Sequence, residues 1–229
     1  MIEVEFRFGR PIDASEIAAA FGRCLEWQRQ GGMVLEVFEN ADQVKAWRKA
    51  KRTELLDARM ALLPELHRQY SLRILDCLIG NFRERGSGTV GIYFPFRAEI
   101  NLIPLARQVL AWGGLPALPV VIGKGKPLEF RAWKPGDLMT KGALGIPFPA
   151  RGEAVRPQTL MVSLVGFDAG CYRLGYGAGY YDCTLQAASP RPLAVGVGFE
   201  LSRLDSIFPQ PHDLPMDAIV TAKGLQRRP

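Results

Sequence analysis

The sequence predicts an α/β protein with a mostly parallel central sheet flanked by helices, in a layered, Rossmann-like arrangement. From residue 89 onward, short and continuously apolar segments alternate with loops and helical segments. Strands that are apolar along their whole length are typical of parallel sheets covered by helices on both faces. The chain has 229 residues, which suffices for one full hydrophobic core with a small additional element.

The N-terminal segment, residues 1–41, is predicted to form a strand–helix–strand extension. Residues 2–8 alternate apolar and polar side chains, as expected of a strand with one buried face. An Asp-x-x-Glu capping box that starts at Asp13 is typical of a helix beginning, and two glycines end that helix. Residues 33–38 are apolar enough for a second strand.

Residues 42–229 are predicted to form the main α/β domain, which begins with two helices over 42–81. Apolar side chains recur there at helical spacing, and Pro64 suits the first turn of the second helix. A crossover helix is predicted at Leu102–Trp112 and another helix near Tyr180–Ala188. The predicted strands are Thr89–Phe94, Leu118–Ile122, Leu160–Val165, Leu193–Val197 and Ala218–Thr221.

Composition narrows the possible functions. No run of about 18 apolar residues is present, so a membrane span is not expected. The N-terminus carries acids and lacks the apolar core of a secretory signal, and the four cysteines show no CxxC spacing, so we expect a cytoplasmic protein with free thiols. The formal net charge of +6 favours anionic partners. Because that charge is spread along the chain, nucleic acid is an unlikely partner.

The most informative segment is a glycine-rich loop at residues 173–182, which reads Arg-Leu-Gly-Tyr-Gly-Ala-Gly-Tyr-Tyr-Asp. Gly175, Gly177 and Gly179 stand at alternate positions and leave main-chain N–H groups open to a phosphate. A helix predicted just after them adds its positive end, and Arg173 adds a guanidinium for phosphate oxygens. Glycines alone would equally suit a tight turn, but the flanking Arg, aromatic and Asp residues favour ligand binding.

This loop resembles the signature RLGxGxGYYD of the 5-formyltetrahydrofolate cyclo-ligase family. The resemblance extends over residues 45–225: Arg48 and Arg52, followed by Arg59, resemble the basic first helix, and Glu99 resembles the folate-site acid. It implies a ligase of one-carbon metabolism that uses ATP and Mg²⁺ to convert 5-formyltetrahydrofolate to 5,10-methenyltetrahydrofolate. Phosphorylation of the formyl oxygen creates a good leaving group, which the N10 amine then displaces.

The resemblance implies a role for each site residue. Three residues are expected to act on the transferred phosphate: Arg173, Tyr180 and Tyr181. ATP is expected to contact residues of the first helix and the loop: Arg48, Arg52, Gly175, Tyr176, Gly177, Ala178, Gly179 and Asp182. The folate is expected to contact one acid and three aromatic rings: Glu99, Phe94, Trp133 and Phe148. Asp182 and Asp168 are the candidate Mg²⁺ ligands.

Each of these roles has a structural alternative. Arg48 and Arg52 share one helix face, where an anion would stabilise two like charges, but without the family resemblance a solvated basic face is the preferred interpretation. Asp182 also suits the first turn of a helix, and Asp168 suits a turn cap. For Glu99 the alternative is a surface acid, and for the aromatic residues it is packing in the core.

Two departures from the family pattern support a second functional hypothesis. The family's I-P-E-P motif has Phe148 at its acidic position, and its Y-Y-D-R motif ends in Cys183. Losing a charged partner typically costs about 1–3 kcal/mol of binding free energy. The second hypothesis is therefore a divergent paralogue that binds a nucleotide or phosphorylated metabolite as a regulatory or auxiliary protein. A third is a nucleic-acid-binding protein that uses the basic helix Lys45–Arg59. We expect a monomer or a homodimer.

Overall fold

The computed structural model describes residue 38 and residues 40–229, so the strand–helix–strand extension predicted at the N-terminus lies outside the described residues, except for its last few positions. The boundary predicted at residue 41 stays a prediction. Residues Asp42–Pro229 form one compact unit. In the described part of the chain, no helix combines the length and the apolar character needed to cross a membrane.

Four α-helices lie in the described part of the chain: α1 (Ala41–Met60), α2 (Pro64–Phe82), α3 (Ile103–Ala111) and α4 (Tyr180–Ala187). All four were predicted, within one or two residues at their ends. Pro64 occupies the first position of α2, where the missing proline N–H would have had no helical partner. Gly179 precedes α4 in a left-handed conformation.

The central sheet has eight strands. The strands are β1 (Thr89–Gly91), β2 (Leu115–Val120), β3 (Glu129–Ala132), β6 (Ala154–Val155), β7 (Thr159–Ser163), β10 (Leu193–Val197), β11 (Ala218–Thr221) and β12 (Gly224–Arg227). Five neighbouring strands are parallel to one another, in the spatial order β11, β10, β7, β1 and β2. At the edges, β12 pairs antiparallel with β11, β3 with β2, and β6 with β3. The predicted α/β class with a mostly parallel sheet is confirmed.

Two short hairpins lie beside the central sheet. One pairs β4 (Met139–Lys141) with β5 (Pro147–Pro149), and the other pairs β8 (Gly166–Phe167) with β9 (Arg173–Leu174). Both lead into the region where the strands of the central sheet end. Neither was predicted from the sequence, because two or three paired residues leave too short a pattern to detect.

The bounds of the first two strands differ from the predicted ones. The first predicted strand is shorter than expected, because the chain leaves the sheet after Gly91. The second begins three residues earlier, at Leu115, although Pro116 lies within it. Proline cannot donate to a neighbouring strand, yet its carbonyl still accepts, and the Trp133 N–H donates to the Pro116 oxygen at 2.9 Å.

The sheet is covered on both faces, as the continuous apolar character of its strands predicts. Met161 of β7 points into the core shared with α2 and α3, while its neighbours Leu160 and Val162 point into the opposite core with Leu185 of α4. A third, smaller cluster attaches α1 to the segment that follows β7, through Leu55, Leu56 and Val165. The helices α1 and α4 are thereby fixed near the carboxyl ends of the parallel strands.

Replacing Leu78 of α2 with alanine tests this packing, because its side chain is fully buried. We expect Leu78→Ala to lower the free energy of unfolding by about 2–5 kcal/mol, measured by urea denaturation. The matched control is Leu72→Ala on the same helix, where the side chain is 53% exposed and the expected change is within about 0.5 kcal/mol. Equal losses in the two variants would contradict the assigned core.

Candidate active site

A cavity of about 470 Å³ opens where the parallel strands of the central sheet end. Its walls come from α1, from the segment 93–99 that follows β1, from the end of β2, from the β4–β5 hairpin and from the glycine-rich loop. In parallel α/β sheets the carboxyl ends of the strands meet along one edge, so segments distant in sequence converge there. This edge brings most of the predicted site residues together.

The glycine-rich loop runs from β9 into α4 along one wall of the cavity. Gly177 has a φ of +97° and Gly179 a φ of +69°, conformations that side-chain-bearing residues rarely adopt. Gly175 has no such requirement, but a Cβ atom there would meet no protein atom within 4 Å. Two glycines therefore serve the loop conformation, whereas the third leaves open space beside the main chain.

Arg173 and Asp182 join the two ends of this loop. The guanidinium donates to both carboxylate oxygens, with Nη1–Oδ1 and Nη2–Oδ2 distances of 3.1 and 2.8 Å. The Asp182 carboxylate also accepts the Leu214 N–H at 3.2 Å. Both residues line the cavity, and their ligand-binding roles stay predictions. The ion pair, which the sequence did not predict, gives them a second role in holding the loop in shape.

Arg48 and Arg52 both reach the cavity from one face of α1. Arg48 is buried, forms an ion pair with Asp213 and donates to the Ile207 carbonyl oxygen at 2.9 Å. Arg52 donates from Nε to the Gly175 carbonyl oxygen at 2.8 Å. Burial and the neighbouring Arg48 cation lower the pKa of Arg52, and the Asp213 carboxylate partly offsets this. The sequence alone gives Asp213 no functional role. Its place in a His-Asp-x-x-x-Asp segment that resembles a turn of the family could have indicated one.

Glu99 is buried, 6% exposed, and borders the cavity. Its two oxygens accept hydrogen bonds from the Phe96 N–H and from the Tyr176 hydroxyl, both at 2.9 Å. Burial raises the pKa of Glu99, while the Arg59 cation and these two hydrogen bonds act in the opposite direction. The predicted alternative of a surface acid does not hold for this position.

The turn that carries Glu99 has an unusual backbone. Arg97 and Ala98 adopt positive φ angles of 47° and 56°, which cost free energy in residues other than glycine. Arg59 of α1 donates to the Arg97 carbonyl oxygen at 3.0 Å, and the His67 ring lies 3.0 Å from the Ala98 carbonyl oxygen. Helices α1 and α2 thus hold the turn from outside and fix the position of Glu99.

The structure separates the three aromatic predictions, and it places one predicted metal ligand outside the cavity. Phe94 and Phe148 line the cavity. Trp133 does not: it is 5% exposed and packs in the core on the α2 side of the sheet, as the packing alternative states. Asp168 also lies outside the cavity, where its oxygens accept the Tyr172 and Ile207 N–H groups at 3.1 Å. Asp168 caps a turn and is not placed to hold a metal in this cavity.

The remaining predicted residues lie in the cavity wall. They are Gly175, Tyr176, Gly177, Ala178, Gly179, Tyr180 and Tyr181. Burial, and secondarily the Glu99 charge, raises the pKa values of Tyr176 and Tyr181, so both phenols remain protonated hydrogen-bond donors at neutral pH. The described residues contain no group of three or more His, Cys, Asp or Glu side chains arranged to hold a metal ion.

Phe148 stands in the cavity wall at the acidic position of the family motif. The Arg131 guanidinium lies 5.6 Å from the centre of its ring, and a Cβ atom on Gly142 would come within 2.9 Å of the ring. The ring is therefore held between a cation and the hairpin backbone. It adds an apolar surface to the site where the motif has a charge.

The backbone conformation of the loop predicts that alanine at Gly177 and alanine at Gly175 have different effects on the free energy of unfolding. We expect Gly177→Ala to lower the free energy of unfolding by about 1–2 kcal/mol, because alanine resists its positive φ. Gly175→Ala is the control, with neither positive φ nor a steric conflict, and its expected effect is within about 0.5 kcal/mol. A larger loss for the Gly175 variant in thermal or urea unfolding would contradict this loop conformation.

Comparison with known proteins places the chain in a family. The chain is 30% identical to a 5-formyltetrahydrofolate cyclo-ligase of Mycolicibacterium smegmatis over 184 residues, covering 75% of this chain and 92% of that protein. A 5,10-methenyltetrahydrofolate synthetase structure from Aquifex aeolicus matches with a TM-score of 0.69 and 30% identity, covering 79% and 92%. One from Mycoplasma pneumoniae shares the fold, with a TM-score of 0.64, 20% identity and coverages of 76% and 98%.

The sequence model of the 5-formyltetrahydrofolate cyclo-ligase family matches residues 44–222, which include most of α1, the cavity and the five parallel strands. The resemblance inferred from the glycine-rich loop is thereby confirmed. The chain belongs to the 5-formyltetrahydrofolate cyclo-ligase family.

Proposed function

We propose that the protein uses ATP to convert 5-formyltetrahydrofolate to 5,10-methenyltetrahydrofolate. The observation that supports this proposal is that one cavity is lined by the glycine-rich loop, by Arg48 and Arg52, and by the buried carboxylate of Glu99, in a chain of this family. A reaction between two bound molecules needs both of them side by side in one site. The proposal includes a cytoplasmic location, where ATP and reduced folates are both available.

The glycine-rich loop and α1 form the nucleotide half of the site. Open space beside Gly175 leaves room for a phosphate oxygen to approach the main-chain N–H groups of the loop. Arg52 is anchored to the loop by its bond to the Gly175 oxygen, which keeps its charge beside the phosphates. Arg48 is neutralised in part by Asp213. The start of α4 adds a positive helix end.

Glu99 and the apolar wall form the folate half. A pterin ring carries N–H donors on one edge and two flat apolar faces, so it suits a carboxylate flanked by aromatic side chains. Glu99 has its two oxygens fixed in direction by Phe96 and Tyr176. Phe94 and Phe148 border the same cavity and would pack against the ring system.

The chemistry follows from bringing these halves together. The formyl oxygen attacks the γ-phosphorus of ATP, and the bond to ADP breaks. The N10 amine then attacks the formyl carbon, the carbon–oxygen bond to phosphate breaks, and N10 releases its proton. The protein aligns the two molecules and stabilises negative charge on the transferred group. Tyr180 and Tyr181 line the cavity next to the loop and would donate hydrogen bonds to phosphate oxygens.

We expect Mg²⁺ to bind in this cavity mainly to the phosphates of the nucleotide, with few protein ligands. Mg²⁺ commonly keeps several waters and binds through one or two carboxylates together with substrate phosphates, and it neutralises phosphate charge when bound. Asp182 lines the cavity with a side chain that is 19% exposed, so it would contact the ion through water while retaining its pair with Arg173. Asp168 is outside the cavity and is not part of this proposal.

Gly175→Ala tests the nucleotide half without disturbing the fold. The added methyl group would occupy the space of a phosphate oxygen, so we expect the KM for ATP to rise about tenfold or more, as for loss of one hydrogen bond to a charged group. The KM for 5-formyltetrahydrofolate should change little. The control is Gly80→Ala in α2, where a Cβ atom also meets nothing within 4 Å. Activity is followed by the absorbance of the methenyl product.

An unchanged KM for ATP in Gly175→Ala would contradict the assigned phosphate position. ATP binding without any turnover by the wild-type protein would contradict the cyclo-ligase activity itself. That second outcome would favour the divergent paralogue that binds a nucleotide.

Glu99→Gln tests the folate half. The amide keeps the shape of the side chain but loses the charge, so we expect the KM for 5-formyltetrahydrofolate to rise about tenfold or more with little change for ATP. Because burial raises the pKa of Glu99, the wild-type KM should rise as the pH falls through that raised pKa. The Gln variant should lack this acidic dependence. A wild-type folate KM that stays constant over the acidic range would contradict the assignment.

A further inference from the structure

Tyr176 connects two buried charges that come from distant parts of the chain. Arg59 of α1 is 3% exposed and donates from Nη2 to the Tyr176 hydroxyl oxygen at 2.6 Å. That hydroxyl donates in turn to Glu99 Oε1 at 2.9 Å. Charges buried away from water are stabilised only when they are paired or hydrogen-bonded. The phenol is therefore the link through which the Arg59 cation supports the Glu99 carboxylate.

The same residue belongs to the nucleotide half of the cavity. Tyr176 lies between Gly175 and Gly177, and the carbonyl oxygen of Gly175 accepts the hydrogen bond from Arg52. Its main chain thus forms part of the loop proposed to hold phosphates. Sequence reasoning assigned Tyr176 to the nucleotide alone, yet its hydroxyl is bonded to the residue proposed to hold the pterin.

The ring of Tyr176 also contacts both the turn that carries Glu99 and α1. The centre of the Phe96 ring lies 6.0 Å away, and the Arg59 guanidinium lies 5.9 Å from the Tyr176 ring centre. Phe96 belongs to the same turn as Glu99 and donates its N–H to that carboxylate. A shift of the glycine-rich loop would therefore move the Tyr176 side chain against both the carboxylate and the turn that carries it.

We propose that Tyr176 is a positioning residue that couples the two ligand sites, so that a nucleotide on the loop and a folate on Glu99 strengthen each other's binding. This inference rests on the proposed function. Phosphates bound to the loop main chain fix the Tyr176 hydroxyl, which fixes the direction of the Glu99 carboxylate. By thermodynamic linkage, folate bound to Glu99 strengthens nucleotide binding by the same factor.

Glu99 is surrounded by groups from several elements, and these decide how it responds to pH. They are Arg59 from α1, Tyr93 after β1, Ser163 from β7, Tyr176 from the loop and Tyr181 from α4. Burial raises the pKa of Glu99, and the Arg59 charge and the Tyr176 hydrogen bond lower it. Removing the hydroxyl takes away one of the stabilising bonds. The carboxyl group of a Tyr176→Phe variant would accordingly take up its proton at a higher pH.

The test is a binding cycle on the full chain, by calorimetry, with 5-formyltetrahydrofolate and a non-hydrolysable Mg-ATP analogue. In the wild type we expect the analogue to tighten folate binding by about fivefold or more, with the same factor in the reverse order. In Tyr176→Phe we expect that factor to fall below about twofold. The acidic decline of folate affinity should also move to higher pH, which loss of packing alone would not produce.

Tyr70→Phe is the matched control. Tyr70 lies on α2, outside the cavity, with its ring against Phe199, so its variant should keep the wild-type coupling and pH profile. Thermal unfolding shows whether Tyr176→Phe is folded. If it is not, Glu99→Gln tests the same link, because its amide loses the charge that Arg59 supports and should likewise lose the coupling.

The outcomes separate the inference from the proposed function. If both ligands bind and Tyr176→Phe keeps the wild-type coupling factor, the positioning role is wrong while the activity stands. An absence of coupling in the wild type would overturn the inference in the same way. If the wild type binds neither ligand, the proposed function fails together with the inference.

Discussion

The cavity depends on one physical constraint: a guanidinium group buried away from water needs partners on the protein. Three arginines are buried in the described part of the chain: Arg48, Arg59 and Arg173. The hydrogen-bond partners of Arg48 and Arg59 lie in segments far away in sequence, and Arg173 pairs with Asp182 at the other end of the glycine-rich loop. Because an unpaired buried charge would cost several kcal/mol, these bonds oblige the segments to stay together. Arginine side chains thus hold the walls of the cavity together, and their positive charge also makes the cavity suitable for anions.

Each buried arginine fixes a different wall. Arg48 ties α1 to the segment around Asp213, and Arg173 ties the start of the glycine-rich loop to the first turn of α4 through Asp182. Arg59 reaches both the loop and the turn that carries Glu99. The parallel sheet delivers these segments to one edge, and the arginines determine their relative positions there. Arg52 is less buried and remains beside the loop, where its Nε donates to the Gly175 carbonyl oxygen.

Much of the fold could be predicted because it rests on local patterns. The helices and the five parallel strands have apolar segments of sufficient length, and Leu193–Val197 and Ala218–Thr221 match the predicted bounds fully. The hairpins could not be predicted, since their strands pair through only two or three residues each. The edge strands β3 and β12 have four residues each and are mostly half-buried, so they lack the continuous apolar pattern of the parallel strands. Pro116 concealed the first residues of β2, because a proline cannot donate within a sheet and therefore counts against a strand, although its carbonyl oxygen accepts the Trp133 N–H.

Most residues of the site could be predicted from the sequence, but the hydrogen bonds and ion pairs between them could not. A sequence motif identifies Arg173, Asp182 and Tyr176 as members of one loop, but it does not reveal that the first two pair with each other or that the third bonds to Glu99. Trp133 illustrates the opposite error, since an aromatic residue near a motif lies in the core and not in the cavity. Such distinctions depend on contacts across the fold, which spacing along the chain does not encode.

We propose that one cavity holds a nucleotide on the glycine-rich loop and a folate on Glu99. A crystal structure of the protein with a non-hydrolysable Mg-ATP analogue and 5-formyltetrahydrofolate tests it most directly. The phosphates should accept hydrogen bonds from the main chain of residues 175–179 and lie beside Arg52, with the formyl oxygen facing the terminal phosphate and the pterin N–H groups on Glu99. A nucleotide bound elsewhere, or a folate turned away from Glu99, would contradict the account.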